Sequence, residues 1–231
     1  MRVQIDFYIN ETRKLYTPVN EAITAYIYRA IAKANKKYAD NLHEEGFTQS
    51  GYKKFVYHTY AISQNKKLIC KELKRGKATL VFSSALEDTV INFVKGMIKI
   101  GKIQIFGRSY EIEEIKYIKE RGISNSQKFN IISPVYTTRI DGKWLNPKEM
   151  EGKLEENLIE KYHALYKKLP QNNIRIKLLP SKREYVHYKN DIFRGYLGNV
   201  IIEGDKEAIK LAYRAGLGAR CGQGLGLLKE V

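Results

Sequence analysis

Val3, Ile5, Phe7 and Ile9 are apolar at every second position, the period of a half-buried strand. Pro18 then precedes a stretch in which Ile23, Ile27, Ala30, Ile31 and Ala34 share one helical face. A shorter helix follows, with Tyr38 and Leu42 one turn apart and a stop at Gly46, which places His43 near its C-terminal end. Residues 55–62 and 78–82 read as strands, separated by the basic stretch Lys66, Lys67, Lys71, Lys74, Arg75 and Lys77. Val90, Ile91, Val94, Met97 and Ile98 make a second helical stripe, and a β-like stretch runs from Ile103 to Ile118. The predicted order is β-α-β-β-α-β, the ferredoxin-like (RRM-like) plan.

After the polar run from Arg121 to Lys128, which reads as a linker or exposed crossover, the plan recurs. Residues 129–138 read as a strand, and Leu154, Leu158, Tyr162, Leu165 and Tyr166 mark a long helix. Ile174 to Leu178 alternates apolar with basic, and residues 185–188 and 196–202 read as further strands that could pair. A short helix over 207–213 and a strand stub at Leu227-Leu228 complete it. The chain of 231 residues could bury one large core or two of roughly 110 residues each, and the repeated element order favours two. The expected class is α+β: two tandem ferredoxin-like domains, residues 1–122 and 123–231, related by element order and not by visible sequence repetition.

Composition points to a partner. Forty-one Lys and Arg against 25 Asp and Glu give a formal net charge of +16, which favours phosphate-rich ligands and nucleic acid above all. Seventeen tyrosines add planar rings that stack on unpaired bases, although most tyrosines fill cores. Lys182, Arg183, Lys189 and Arg194 flank the expected hairpin of the second half, a shape that could lie against an RNA stem. No segment approaches the roughly 20 apolar residues of a membrane span, and Met1 to Asp6 lacks a signal peptide's apolar stretch, so a cytoplasmic protein with no membrane partner is expected. Cys70 and Cys221 form no Cys-x-x-Cys pair, and none of His43, His58, His163 and His187 pairs with another at a metal-ligand spacing; free thiols, no metal and no cofactor are expected.

Gly216 to Gly226 holds five glycines at alternating positions apart from one step, and Lys210, Arg214 and Arg220 lie in or before it. A nucleotide fingerprint needs a helix after the glycines to receive the phosphates, and a P-loop needs Gly-Lys-Ser/Thr; neither follows. Two readings remain: a tight turn that serves packing, or a bare backbone that lets a polyanion approach closely.

The terminal Gly222-Gln-Gly224-Leu-Gly226-Leu resembles the glycine-rich loop of the CRISPR-associated repeat endoribonucleases of the Cas-six type, within the wider repeat-associated RNA-binding superfamily. In that family a Tyr-x-x-Ile stretch on the first long helix is followed by Leu-His-Glu on a short helix and by Gly-x-Lys before a strand. This chain has Tyr28-Arg-Ala-Ile31, Leu42-His43-Glu44 and Gly51-Tyr52-Lys53-Lys54-Phe55. The resemblance implies two ferredoxin-like domains and a metal-independent endonuclease that cuts repeat transcripts into guide RNAs. Gly222, Gly224, Gly226, Arg214 and Arg220 would then belong to the RNA-binding surface. Other subunits of a CRISPR complex are further candidate partners.

Cutting RNA without a metal uses the substrate's own 2′-hydroxyl as nucleophile, so the protein must manage two proton transfers and the charge on the phosphorane. His43 suits the transfers, because imidazole titrates near neutrality. Lys53 suits the phosphorane oxygens, with Lys54 as the adjacent alternative. Tyr28, whose phenol ordinarily titrates near pH 10, suits positioning of the 2′-hydroxyl better than proton abstraction. His58, among Val56, Tyr60 and Ile62, reads as a packed or hydrogen-bonded strand histidine. A non-catalytic RNA-binding relative of the same fold, or an unrelated basic two-domain module, are the competing readings.

Overall fold

The structure is a computed structural model that describes residues 1–44, 47–49, 53–138 and 143–231; for residues 43, 44, 47–49, 53 and 54 it describes the backbone alone. In the first half, β1 (Arg2–Ile9), β2 (Arg13–Lys14), α1 (Val19–Ala34), α2 (Lys36–Glu44), β3 (Phe47–Gln49) and β4 (Lys53–Phe55) lead to β5 (His58–Gln64). There follow β6 (Lys67–Leu68), β7 (Glu72–Leu73), β8 (Gly76–Ser84), α3 (Glu87–Ile100), β9 (Lys102–Ile105) and β10 (Arg108–Tyr117). The second half has β11 (Ser126–Val135), α4 (Pro147–Tyr166), β12 (Arg175–Tyr188), β13 (Asp191–Glu203), α5 (Lys206–Ala215), a 3₁₀ turn at Cys221–Gln223 and β14 (Leu228–Glu230).

The same strand arrangement occurs twice. The first sheet runs β6-β5-β8-β1-β10-β9 and the second β12-β13-β11-β14, so in each the opening strand lies between the third and last strands of its β-α-β-β-α-β series. Val3, Ile5, Phe7 and Ile9 are fully buried, and they share one hydrophobic cluster with Ile23, Tyr26, Ile27, Phe93 and Met97 of α1 and α3. On the other face of β1, Asp6 accepts a hydrogen bond from Thr79 Oγ1 (2.8 Å) and pairs with Lys77 (2.9 Å). A second cluster joins Phe129, Leu154, Leu158, Tyr162, Val200 and Ile202. Its helices are well delimited: Asn146 and Glu149 form a capping box before α4, with Pro147 in the first turn, and Asp205 caps α5. No helix among the described residues is long and apolar enough to cross a membrane.

Three elements differ from the sequence reading. The stretches read at 174–178 and 185–188 belong to one strand, β12, which continues past Pro180 with a register shift between Pro180 and Lys182. The stretch 55–62 is two strands: β4 pairs with β3, and β5 joins the main sheet. Between them the chain changes partners, and Phe55 and Tyr57 enter the second hydrophobic cluster, where the Tyr57 hydroxyl donates to the Lys161 carbonyl at 2.8 Å. The run 121–128 is not all connector, since β11 begins at Ser126.

The two halves are joined by buried polar contacts. Arg2, 3% exposed, donates from Nη1 to the Leu228 carbonyl and from Nη2 to the Tyr213 carbonyl, both at 2.6 Å, and its guanidinium lies 3.8 Å from the centre of the Tyr213 ring. Arg214 forms a forked pair with Glu120 at 2.7 to 3.0 Å.

The crossing of α1 and α3 depends on Gly96, where an added Cβ would lie 1.6 Å from the Ala30 carbonyl oxygen. Gly96→Ala is therefore expected to cost about 3 kcal/mol or more through overpacking, seen as a fall in Tm of roughly 6 to 12 °C. Gly152→Ala, in α4 with no atom within 4 Å of the new methyl, should raise stability by about 0.5 to 1 kcal/mol. Equal melting of the two variants would refute this account of the crossing.

Candidate nucleic-acid interface and active site

A cleft of about 740 Å³ opens between the halves. One wall is the outer face of α1, where Glu21, Thr24 and Tyr28 recur at helical spacing; the facing wall is Asn157 and Lys161 of α4. Residues 218–223 border it, Phe55 and Val56 lie at the β4–β5 junction, and Tyr188 and Lys189 come from the tip of the β12–β13 hairpin. Lys189 has a left-handed backbone (φ 51°) in the two-residue turn, and its N–H donates to the Glu21 carboxylate at 2.9 Å, which ties the tip to α1.

The glycine run is seated on the first half by backbone. Asn20 Nδ2 donates to the Gln223 carbonyl at 3.0 Å and Thr59 Oγ1 to the Leu225 carbonyl at 2.7 Å. A Cβ on Gly224, whose φ is +81°, would lie 2.8 Å from both Asn20 Nδ2 and Tyr60 Cε2; one on Gly222 would lie 2.9 Å from Val56 Cγ1. Beneath the run, Lys161 is 3% exposed and donates to the carbonyls of Gly216 (3.0 Å) and Gly218 (3.3 Å), with its ammonium 3.7 Å from Cys221 Sγ. A buried ammonium is tolerated when its donors are satisfied in this way. Both cysteines are free thiols.

Tyr28 is half-buried on the cleft wall, and burial, with a smaller contribution from Tyr188, raises its phenol above the ordinary value. It therefore stays protonated at neutral pH and offers a hydroxyl donor. Its ring meets that of His58 edge-on at 5.8 Å, and His58 packs in turn on Phe82 at 5.5 Å. His58 is 1% exposed, neither ring nitrogen has a hydrogen-bond partner among the described residues, and burial lowers its pKa to about 4. It is packed, as its strand setting predicts, and neutral at physiological pH.

The structure brings Tyr28, Lys189, Arg220 and Gly222 to one cleft. His43 lies in the last turn of α2 and Lys53 opens β4; their side chains, and that of Lys54, lie outside the described residues, as do Gly46, Gly51 and Tyr52 altogether. Lys182 and Arg183 stand exposed on β12, the former paired with Glu184 at 2.6 Å. Four other residues expected at the RNA surface have partners within the protein. Arg214 is held by Glu120, and Arg194 donates to the Leu145 carbonyl at 2.9 Å beside the Trp144 ring. Gly224 and Gly226 are buried against Tyr60 and the Leu217 backbone, so they serve packing. Within the glycine run, residues 218–223 line the cleft, while Gly216, Gly224 and Gly226 are packed against neighbouring atoms. Lys161 and Asn157 escaped sequence reading, although a lysine seven residues after Leu154 on the apolar stripe was the available signal. Among the described residues no group of His, Cys, Asp or Glu is placed to hold a metal ion.

Comparison with known proteins gives a consistent result. Residues 114–230 match the family model described as CRISPR associated protein Cas6, C-terminal, and residues 19–116 the model for CRISPR-associated protein Cas6, N-terminal. The chain is 28% identical over 226 residues to the CRISPR-associated endoribonuclease Cas6 1 of Methanocaldococcus jannaschii, covering 90% of this chain and 84% of that one. It is 24% identical over 230 residues to the CRISPR-associated endoribonuclease Cas6 of Pyrococcus furiosus, covering 95% and 86%. A solved structure titled CRISPR associated protein Cas6 superposes with a TM-score of 0.77 at 26% identity, covering 100% of this chain and 99% of that one.

His58 generates a pH prediction. Above pH 6.5 the ring is neutral in both folded and unfolded chains; below it the unfolded chain binds a proton that the folded protein refuses until about pH 4. Its burial therefore costs stability as pH falls through that window. Urea unfolding at pH 7.5 and 4.5 should show wild type losing about 2 to 3 kcal/mol more than His58→Phe. Parallel losses would contradict a neutral, unpartnered ring.

Proposed function

Because the chain belongs to the Cas6 family of CRISPR-associated proteins, we propose that it is an endoribonuclease that cuts CRISPR repeat transcripts, the precursors of crRNA, into guide RNAs. Residues 1–122 and 123–231 are read as tandem ferredoxin-like domains, a reading supported by the strand order that recurs in the two sheets. The observation that carries the functional reading is the convergence of Tyr28, Gly222, Lys189 and Arg220 on the cleft between the halves, in a protein of net charge +16.

The proposed reaction needs no metal. The 2′-oxygen attacks the adjacent phosphorus as its proton leaves, the bond from phosphorus to the 5′-oxygen breaks, and that oxygen takes up a proton. The products are a 2′,3′-cyclic phosphate and a 5′-hydroxyl. His43, at the C-terminal end of α2, is assigned the proton transfers. Lys53, at the start of β4, is assigned the charge developing on the phosphorane oxygens, with Lys54 its neighbour in sequence. Tyr28 is assigned the positioning of the 2′-hydroxyl, in keeping with a phenol that burial keeps protonated. Lys189 and Arg220 supply phosphate contacts at the cleft rim, and Lys182 and Arg183 extend that charge along β12.

The test is cleavage of a repeat RNA in EDTA. Wild type is expected to cut, His43→Ala to bind normally and cut about 10² to 10⁴ times more slowly, and a 2′-deoxy substitution beside the scissile phosphate to abolish cutting. Strict dependence on magnesium would sink the mechanism. Tight binding without cleavage by wild type would instead assign the chain to a non-catalytic subunit of a CRISPR ribonucleoprotein complex.

A further inference from the structure

Residues 66–75 hold five cations, Lys66, Lys67, Lys71, Lys74 and Arg75, against one acid, Glu72, and none of them lines the cleft. They form a projection from the first sheet. β5 turns into β6 through Asn65 and Lys66, both with left-handed backbone (φ 50° and 62°), and this tight turn carries Lys66 and Lys67 outward, where both are exposed. The chain then returns as β7, which pairs with β2 and so brings Lys14 into register with Glu72. The Leu15 N–H donates to the Lys71 carbonyl at 2.8 Å, and the Arg75 N–H to Thr12 Oγ1 at 3.1 Å. Next to Leu15, Tyr16 is 97% exposed. Glu72 is 3.7 Å from Lys74, which leaves Lys14, Lys66, Lys67, Lys71 and Arg75 as an exposed basic group fixed by backbone pairing.

This projection and the cleft share one turn of α1. The Val19 N–H donates to the Cys70 carbonyl at 2.8 Å, and two residues later Glu21, which lines the cleft, accepts from the Lys189 N–H. The first turn of α1 is thus bonded to the basic connection on one side and to the cleft's hairpin tip on the other.

We propose that Lys14, Lys66, Lys67, Lys71 and Arg75, with Tyr16 as a stacking ring, form a second RNA-binding ledge that takes the single strand where it leaves the cleft; this rests on the cleft being an RNA site. Lysine-rich, mobile charges suit phosphates of any sequence, and an exposed phenol ring suits an unpaired base. An acidic protein would satisfy the charges but gives no reason for their continuity with the cleft.

The probes are unstructured oligouridylates of about 8 and about 24 nucleotides, the shorter near the site size of a single-strand groove. Wild type should bind the long RNA at least tenfold tighter. The variant Lys66→Glu/Lys67→Glu/Lys71→Glu/Arg75→Glu should lose that advantage and bind the short RNA as wild type does, with the slope of log affinity against log salt for the long RNA smaller by about 2 to 3. A charge-matched control, Lys95→Glu/Lys99→Glu/Lys167→Glu/Lys168→Glu, should keep the advantage. Tyr16→Ala should weaken the long RNA alone by about fivefold or more, and Tyr16→Phe should not. No length advantage in wild type, its survival in the ledge variant, or equal loss in the control would overturn the ledge. Unchanged binding of the short RNA by Lys189→Ala/Arg220→Ala would instead count against the cleft.

Discussion

Residues 216–226 bring bare backbone against the other half of the molecule, and the remaining architecture is arranged around that approach. Their carbonyls accept hydrogen bonds from Asn20 and Thr59 on one side and from the buried Lys161 on the other. Side chains at Gly222 or Gly224 would strike Val56, Tyr60 or Asn20. The loop then runs into β14, the edge of the second sheet, through the Gly226 N–H bond to Pro134 and the Ile132 N–H bond to Leu227. One segment therefore closes the second core, spaces the halves and shapes the cleft. Lys161 contributes a rigid mount: its charge lies in a medium where an unmet donor would be expensive, so the carbonyls are held where they can meet it.

Much of this was legible in the chain because period and position carry it. The alternation of Val3, Ile5, Phe7 and Ile9 and the stripes of both long helices follow from which face is buried, and the doubled element order follows from them. Pairing across the chain was not legible. Nothing in Phe55 or Tyr57 distinguishes a core contact with their own sheet from one with α4, and the polar run 181–184 hides that the pieces on either side of it are one strand. Within the site, Tyr28 and Gly222 were recognisable through neighbouring motifs. Lys161 was hidden because a lysine on an apolar stripe is ordinarily taken for a snorkelling surface residue.

Net charge alone said little about where an anion would lie. Arg2, Arg194 and Arg214 are bound to carbonyls or to a carboxylate, and Lys77 answers Asp6; these cations hold the protein together. Arginine suits that work, since its planar fork satisfies several acceptors at once. The lysines of β12 and of the β5–β8 connection stand exposed instead. A basic protein is thus sorted by geometry into cations that are structural and cations that are available.

The exchange of Phe55 and Tyr57 has a consequence for synthesis. The chain emerges from the ribosome in order, and the first sheet can assemble once β10 has been made, since β1 already has both its neighbours. The two aromatics, however, pack among residues of α4 and α5 that are translated about a hundred or more positions later. Until then they lack their native neighbours in α4 and α5, and at typical elongation speeds of about 5 to 20 residues per second that interval lasts about 5 to 20 seconds or longer. The first half is therefore born incomplete, with the β4–β5 junction waiting, exposed, for the helices that will cover it.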